Sequence, residues 1–558
     1  MKTFRAFLIT SAVFIAAPLP LAAGLTFKLG GWLDALLAIA GGLGLGLLYW
    51  WPLGAYLSRP TRRTWTKLVG GYLLSIPLYF LTLAVLYPAW GGAVFHPFAG
   101  GRWAIYLSAT PQFYAMVLLL SYLTKGRTAR WALGTAVVAL AAGIVAPLYL
   151  AAAAGPHWPH IKSSHAVITG ARLVDASSNR IVEGQNVYIQ NGSIETISPE
   201  PLHPDWPRIE ARGRYLLPGL IDVHTHLQSP VEVPAGFKAG YFTKSVMGNY
   251  GLQRTAYLAS GVTSVRDLGG PAEAGYRLRS EILQKKTLGP RFFTVGRLVT
   301  SPHGHPVSTI WSASVSRQSA ILATDERTML DGLDRNFADG PPDAVKFVHG
   351  AIGRAHEELS AGLLAKGIRW AGGHGLISVV HAETAEEVED AIRAGATGVE
   401  HTAYLQNAPP SLIALVKQRH PFLDPTFGEF ETSLSLSKVP PGVRTAEMQC
   451  AYESVVELYR AGAQLVIGTD APMVAYGSGF HDELAHFAHA GFRPAEILTF
   501  ATLSNAAYLG KASELGKIAP GYRADLILAE TNPLKKLDTL RRPVWTMLDG
   551  QIVSGGKR

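Results

Sequence analysis

Before residue 156 the chain carries five long apolar stretches, at 7–26, 32–56, 68–90, 103–123 and 131–154. Each is about 20 residues or longer, enough for a helix to cross roughly 30 Å of hydrocarbon. A chain that opens this way is constrained before any motif is read. The stretches are expected to be about five transmembrane helices over 1–156, and whatever chemistry the protein performs belongs to the remaining two-thirds. Cytoplasmic connections carry the Lys/Arg excess in such proteins. Lys2 and Arg5, then Arg59, Arg62, Arg63 and Lys67, then Lys125, Arg127 and Arg130 occupy one set of connections; the alternate set holds only Lys28 and Arg102. That alternation predicts a multi-pass protein of the inner membrane, with a cytoplasmic N-terminus and an extracytoplasmic, periplasmic domain from residue 156 onward. Pro18 and Pro20 followed by Ala22, Ala23 and Gly24 leave a cleaved signal peptide as the alternative for the first stretch. None of the five holds an ionisable residue at mid-depth, where transporters keep theirs. An anchor in the lipid bilayer is therefore expected rather than a transport path.

Residues 1–160 contain eleven Lys/Arg and one acidic residue, Asp34, while the whole chain has a formal charge of +9. The part beyond residue 160 is thus close to neutral. A nucleic-acid surface needs its cations on the folded domain, so nucleic acid is excluded as a partner. Cys450 is the one cysteine, which excludes an intramolecular disulfide and a cysteine-built metal site. Any metal must rest on His, carboxylate or a modified lysine.

Past the proline-broken segment 155–160, short β-branched runs begin. Ala166–Leu173, Asn186–Gln190 and Ser193–Ile197 are expected strands, with Asn191-Gly192 as a hairpin turn. Ala524–Ala529 and Val544–Leu548 are similar, with a turn at Asp549-Gly550. Strands at the two ends, in 157–216 and 512–558, are expected to join in a small β-sandwich subdomain. Between them, over 217–511, eight β runs alternate with helical stretches: Gly219–Thr225, Val262–Asp267, Arg291–Val299, Ala344–Val348, Leu376–His381, Gly398–His401, Phe422–Thr426 and Gln464–Thr469. Eight such units predict an α/β protein with a (β/α)8 TIM barrel.

Chemistry concentrates at the ends of these runs. In Leu217-Pro-Gly-Leu-Ile-Asp-Val-His-Thr-His226, strand alternation turns His224 and His226 to one face, where both reach a single metal ion. Lys346 interrupts the apolar run Asp343-Ala-Val-Lys-Phe-Val348; a lysine there is costly unless its charge is neutralised or modified.

With these residues the chain resembles the amidohydrolase superfamily, in particular its imidazolonepropionase-like and metal-dependent dipeptidase branch. The resemblance extends over about 390 residues from Ala166. It runs through Gly170-Ala-Arg-Leu-Val-Asp175, the segment ending at His226, Gly261-Val-Thr-Ser-Val-Arg-Asp-Leu-Gly269, Val380-His-Ala-Glu383, Gly398-Val-Glu-His401, Gly468-Thr-Asp470, Ala501-Thr-Leu-Ser-Asn-Ala506 and Gly516-Lys-Ile-Ala-Pro-Gly-Tyr-Arg-Ala-Asp-Leu526. It implies two divalent metal ions, with His224 and His226 on the more buried one and His381 and His401 on the other. Asp470 would bind metal and move protons, and Lys346 would be an N6-carboxylysine bridging the pair. His305 matches a histidine that touches the substrate carbonyl. His303, His349, His481 and Glu483 are expected to line the substrate pocket. Zinc is the first expectation for a His-rich hydrolytic site.

Two bridged metal ions activate water and polarise a carbonyl. Hydrolysis of an amide-type C–N bond in a dipeptide, cyclic amide or N-acyl compound is therefore expected, on a small-molecule or short-peptide substrate. Lactone or phosphotriester hydrolysis on the same site is the alternative. An inactive membrane sensor or scaffold is a further one, but it predicts a missing ligand and all six are present. A homo-oligomer is left open.

Overall fold

The computed structural model describes residues 164–228, 250–309, 311, 313–350, 357–402 and 407–555. The five apolar stretches expected to cross the membrane lie outside these residues. Among the described residues no helix is long and apolar enough to span a bilayer.

The β-branched runs after residue 164 form antiparallel strands. β1 (His165–Asp175) pairs with β2 (Arg180–Gln190), and β2 with β3 (Ser193–Ser198). Asn191 and Gly192 join β2 to β3 with φ of 51° and 80°, the left-handed pair that a tight hairpin turn requires and Asn-Gly adopts at least cost. On its other side β1 takes β4 (Arg208–Glu210) and β5 (Tyr215–Pro218) in parallel. The strand Leu526–Ala529, from the far end of the chain, pairs antiparallel with β5, and Trp545–Leu548 and Gln551–Gly555 extend the sheet beyond it. Strands from both ends therefore share one sheet of eight. Two separate sheets, as in a sandwich, are not what forms. Register shifts in β1 between Ile168, Ala171 and Leu173 bend the strand, so that it serves different partners along its two edges. Ile168, Val187, Ile194, Leu216, Leu526 and Trp545 meet in the core of this sheet.

The middle of the chain is parallel. β6 (Leu220–Thr225), β7 (Val262–Asp267) and β8 (Arg291–Thr294) make one sheet. β9 (Leu298–Thr300), β10 (Ala320–Leu322), β11 (Ala344–Val348), β12 (Ile377–Ala382), β13 (Gly398–His401), β14 (Phe422–Asp424) and β15 (Gln464–Leu465) make a second, in the order β10-β9-β11-β12-β13-β14-β15. The expected run Arg291–Val299 breaks into β8 and β9 at Gly296, whose φ is 64° and where a Cβ would lie 2.2 Å from the Tyr276 hydroxyl. β10 has no counterpart among the expected runs; three residues are too few for a periodic signal. Helices pack between the strands, as in Ala385–Ala394, where Thr384 and Glu387 form a capping box and Val388, Ala391 and Ile392 are buried.

Backbone hydrogen bonds link the two parallel sheets at two places. Asp343 N donates to Thr294 O (2.9 Å) at one. At the other, Val223 N donates to Ile467 O (3.4 Å), Thr469 N and Asp470 N to His224 O (3.0 and 2.8 Å), and His226 N to Ala471 O (2.7 Å). The segment after β15 thus runs alongside β6 and lays residue 470 beside residues 224 and 226. Gly468 makes that passage possible. An added Cβ would come 2.2 Å from Asp424 Oδ2, 2.3 Å from His224 Cβ and 2.8 Å from His224 N. Gly468→Ala is expected to lower stability by about 3 kcal/mol through overpacking. The denaturant midpoint reads this directly, and an unchanged midpoint would show that the strand can move aside.

Candidate active site

The strands deliver their polar residues to one place. His224 Nε2 and His226 Nε2 lie 3.3 and 3.2 Å from Asp470 Oδ1. The His401 ring, from the end of β13, is centred 5.1 Å from that of His224 and 4.4 Å from that of His381, from the end of β12. His305 stacks on His381 at 5.5 Å and 25°. A ring nitrogen of His224, one of His401 and an Asp470 oxygen fall within 4.8 Å of one another. Lys346 on β11 is buried, and its Nζ has no hydrogen-bond partner; the same is true of His381 Nε2, which lies 3.4 Å from Glu383 Oε1. Burial lowers the Lys346 amine to about 8 despite the pull of Glu400 and Asp470.

Neighbouring groups orient the rings. His226 Nδ1 is 3.0 Å from Gly269 O, which can only accept, so Nδ1 carries a proton there and Nε2 is turned to Asp470 Oδ1. His401 Nδ1 pairs with Thr426 Oγ1 at 2.8 Å and His305 Nδ1 with Thr309 Oγ1 at 2.7 Å. Burial, reinforced by the neighbouring His381, holds His305 and His401 well below the usual histidine range. For Asp470, burial is outweighed by His224 and His226, which keep the carboxyl well below its ordinary value. For His226, burial is outweighed by the hydrogen bond and charge of Asp470, which raise it. The site thus sets imidazoles against an ionised carboxylate. Its backbone is strained: His401, Thr402, Thr426 and Asp470 have φ of 78°, 67°, 43° and 52°. Side chains other than glycine adopt such values at a cost of about 1–3 kcal/mol each, and they cluster at functional sites.

Beneath the histidines lies a layer that motif spacing did not single out. Glu400 and Asp424 are fully buried. Glu400 accepts from Tyr508 Oη (2.7 Å) and Arg266 Nη2 (3.3 Å), and Asp424 Oδ1 accepts from Gly468 N (2.9 Å). Asp222, buried in β6, takes Thr469 Oγ1 at 2.7 Å and Thr469 N at 3.1 Å; burial raises it to about 7. Glu429 sits 4.0 Å from His401 Nδ1, and burial together with Asp470 raises it to about 8. The available signal was cost: Asp222 and Glu400 each place an acid within an apolar run.

Four residues expected to line the pocket are not brought into the histidine cluster. His349 turns its Nδ1 to Leu359 O (2.6 Å), and its Nε2 lies 3.6 Å from Asp390. His481 Nε2 pairs with Ser260 O at 2.9 Å, and burial lowers it to about 4. His303 is exposed on its loop. Glu483 accepts from Phe427 N (2.7 Å) and Gly428 N (2.8 Å), supplying the helix Phe427–Leu436 with the cap that Thr426 does not give. Helix geometry therefore accounts for this carboxylate. Glu483→Ala would strand two buried N–H groups and is expected to cost about 3 kcal/mol. A melting temperature unaffected by that change would contradict the capping role.

Comparison with known proteins places the chain. The model of the amidohydrolase family matches residues 215–553. The chain is 36% identical over 76 residues to an adenine deaminase of Paracoccus denitrificans, a stretch that is 13% of each protein. It is 25% identical over 405 residues to an imidazolonepropionase of Symbiobacterium thermophilum, covering 65% of this chain and 87% of that protein. The crystal structure of a Xaa-Pro dipeptidase with bound methionine in its active site superposes with a TM-score of 0.60 at 22% identity, over 70% of this chain and 100% of that one, a likeness of fold. The family match covers well over half of the 558 residues and takes in every strand end that gathers the histidines, so the chain belongs to the amidohydrolase family and is an enzyme of it.

Proposed function

We propose that this protein hydrolyses an amide-type C–N bond, in a dipeptide, cyclic amide or N-acyl compound, at two divalent metal ions held by His224, His226, His381, His401, Asp470 and a carboxylated Lys346. One observation carries the reading: these six residues, from five neighbouring strands, converge on one place. The donor set fits. Nδ1 of His226 is held by the Gly269 carbonyl, which turns its Nε2 toward Asp470 and the centre. His381 Nε2 and Lys346 Nζ are buried without a hydrogen-bond partner, which costs about 1–3 kcal/mol per group unless something is bound. An amine near pKa 8 has a neutral fraction that adds carbon dioxide, forming the N–C bond of a carbamate and releasing one proton. Ions held there would supply a water of lowered pKa and a polarised carbonyl, with zinc the expected metal for nitrogen and oxygen donors. Asp470, ionised and partly open to solvent, takes the water's proton and passes it to the leaving nitrogen. His305, kept neutral beside His381, donates a hydrogen bond to the substrate carbonyl.

The hydrogen bonds that join the two parallel sheets at two places support a closed (β/α)8 barrel over 217–511, beside a composite β-subdomain of 157–216 and 512–558. Hydropathy and the alternating cations support a bilayer anchor over 1–156, with the barrel on the extracytoplasmic side. Elemental analysis of the purified full chain tests the centre: about two metal equivalents are expected, with fewer in His381→Ala and His401→Ala. Hydrolysis of dipeptides, cyclic amides or N-acyl compounds by metal-free protein would remove the metal reading. Protease added to intact spheroplasts should release the barrel, and its protection would reverse the orientation.

A further inference from the structure

We infer that Glu400 is a positioning residue for His224, holding the proton of that imidazole on Nδ1 so that Nε2 meets the metal as a lone pair; this rests on the metal-centre reading above. The contact is specific. Glu400 Oε2 lies 2.8 Å from His224 Nδ1, with both atoms fully buried. The two atoms are close without an aligned hydrogen bond, so the carboxylate acts on the ring through its own negative charge. On the other side of the ring, Nε2 faces Asp470 Oδ1 at 3.3 Å.

One oxygen of the carboxylate is clamped. Its Oε1 takes Tyr508 Oη and Arg266 Nη2. Arg266 is itself fixed by Val223 O at 2.8 Å and lies over the Tyr508 ring at 4.1 Å. This leaves Oε2 without a hydrogen-bond partner, aimed at the imidazole. The ring cannot turn away, because Gly468 closes against His224 Cβ and Asp424 Oδ2 stands 3.7 Å from the same Nδ1. His226 and His305 pair their Nδ1 with neutral oxygens, of Gly269 and Thr309, and His401 pairs its Nδ1 with Thr426 Oγ1 at 2.8 Å while Glu429 stands farther off at 4.0 Å. His224 instead meets carboxylates. A negative charge at hydrogen-bond distance favours the proton on the nearer nitrogen and makes the farther one more basic than a neutral acceptor does.

Glu400→Gln tests this, because the amide oxygen can keep Tyr508 and Arg266 while its NH2 meets Nδ1 and drives the proton to Nε2. The metal content of the full-length protein is followed during titration with a chelator. One of the two equivalents should be lost at a chelator concentration about 10–100-fold lower than for wild type, and the other should be retained. Tyr508→Phe, which leaves the carboxylate in place, should hold both ions nearly as wild type does. Wild-type retention in Glu400→Gln would overturn the assignment, and so would equal losses in the two variants, which would make the cluster a core element only. Histidine nitrogen shifts, assigned by difference from His224→Gln, provide a readout that needs neither metal nor a folded Glu400 variant. Nδ1–H on His224 in wild type supports the inference and Nε2–H overturns it. Wild type without metal would defeat the metal-centre reading while leaving this tautomer measurement decisive.

Discussion

Asp470→Asn is expected to lower kcat by roughly a thousandfold, within the range that a positioned acid–base group supplies. Asp470 is the carboxylate whose oxygen meets both His224 and His226. The two histidines hold it well below its ordinary value against burial, so it is ready to accept a proton. The amide has nearly the same shape and can still offer an oxygen, but it cannot carry a proton from water to the leaving nitrogen. Its effect should therefore fall on kcat, with KM changed by less than about tenfold. Steady-state kinetics on the first substrate found, with metal content measured in parallel, separates lost proton transfer from lost metal. A kcat within tenfold of wild type at full metal content would take Asp470 out of the proton path.

Lys346→Ala comes next, with an expected loss of roughly a hundredfold or more in kcat/KM together with loss of metal, because the proposed carbamate would go with it. A short carboxylic acid added in solution should restore part of the activity by filling the space of the missing carbamate. Full activity without the acid would exclude Lys346 from the centre. The same residue has an opposite effect on stability. In metal-free protein kept free of carbon dioxide, its amine is buried and unpartnered. Lys346→Met is then expected to stabilise the fold by about 1–3 kcal/mol. The pH dependence has a definite sign. Burial lowers the folded amine from 10.5 to about 8, so between those values the unfolded chain binds more protons than the folded one. Stability from this group therefore rises as pH increases from about 8 to 10.5. That rise should be absent from Lys346→Met.

Much of the site was legible in the chain because its signals are local. On a strand, residues two apart share a face, so His224 and His226 point together without knowledge of any partner. Lys346 stood out because an amine within an apolar strand is costly wherever the strand lies. Each of the eight β runs contains a strand, and the misjudged ends fall where Gly296 takes a left-handed φ and where β15 gives way to isolated backbone bonds after Leu465.

The roles of Glu400, Asp424 and Glu483 were not legible, since each depends on partners distant in sequence. Glu400 meets residues 134 and 108 positions away, and Glu483 caps a helix 56 positions away. Glu483 and His481 follow the last strand as pocket residues would, yet one caps a helix and the other turns to Ser260 O. The sequence by itself determined the strands, their polar ends and the donor types available there, because alternation and the cost of burying charge act over a few residues. Only the tertiary structure decided which groups orient each histidine and which buried acids lie against the site. Those outcomes depend on hydrogen-bond partners supplied by other strands, and no local pattern encodes them.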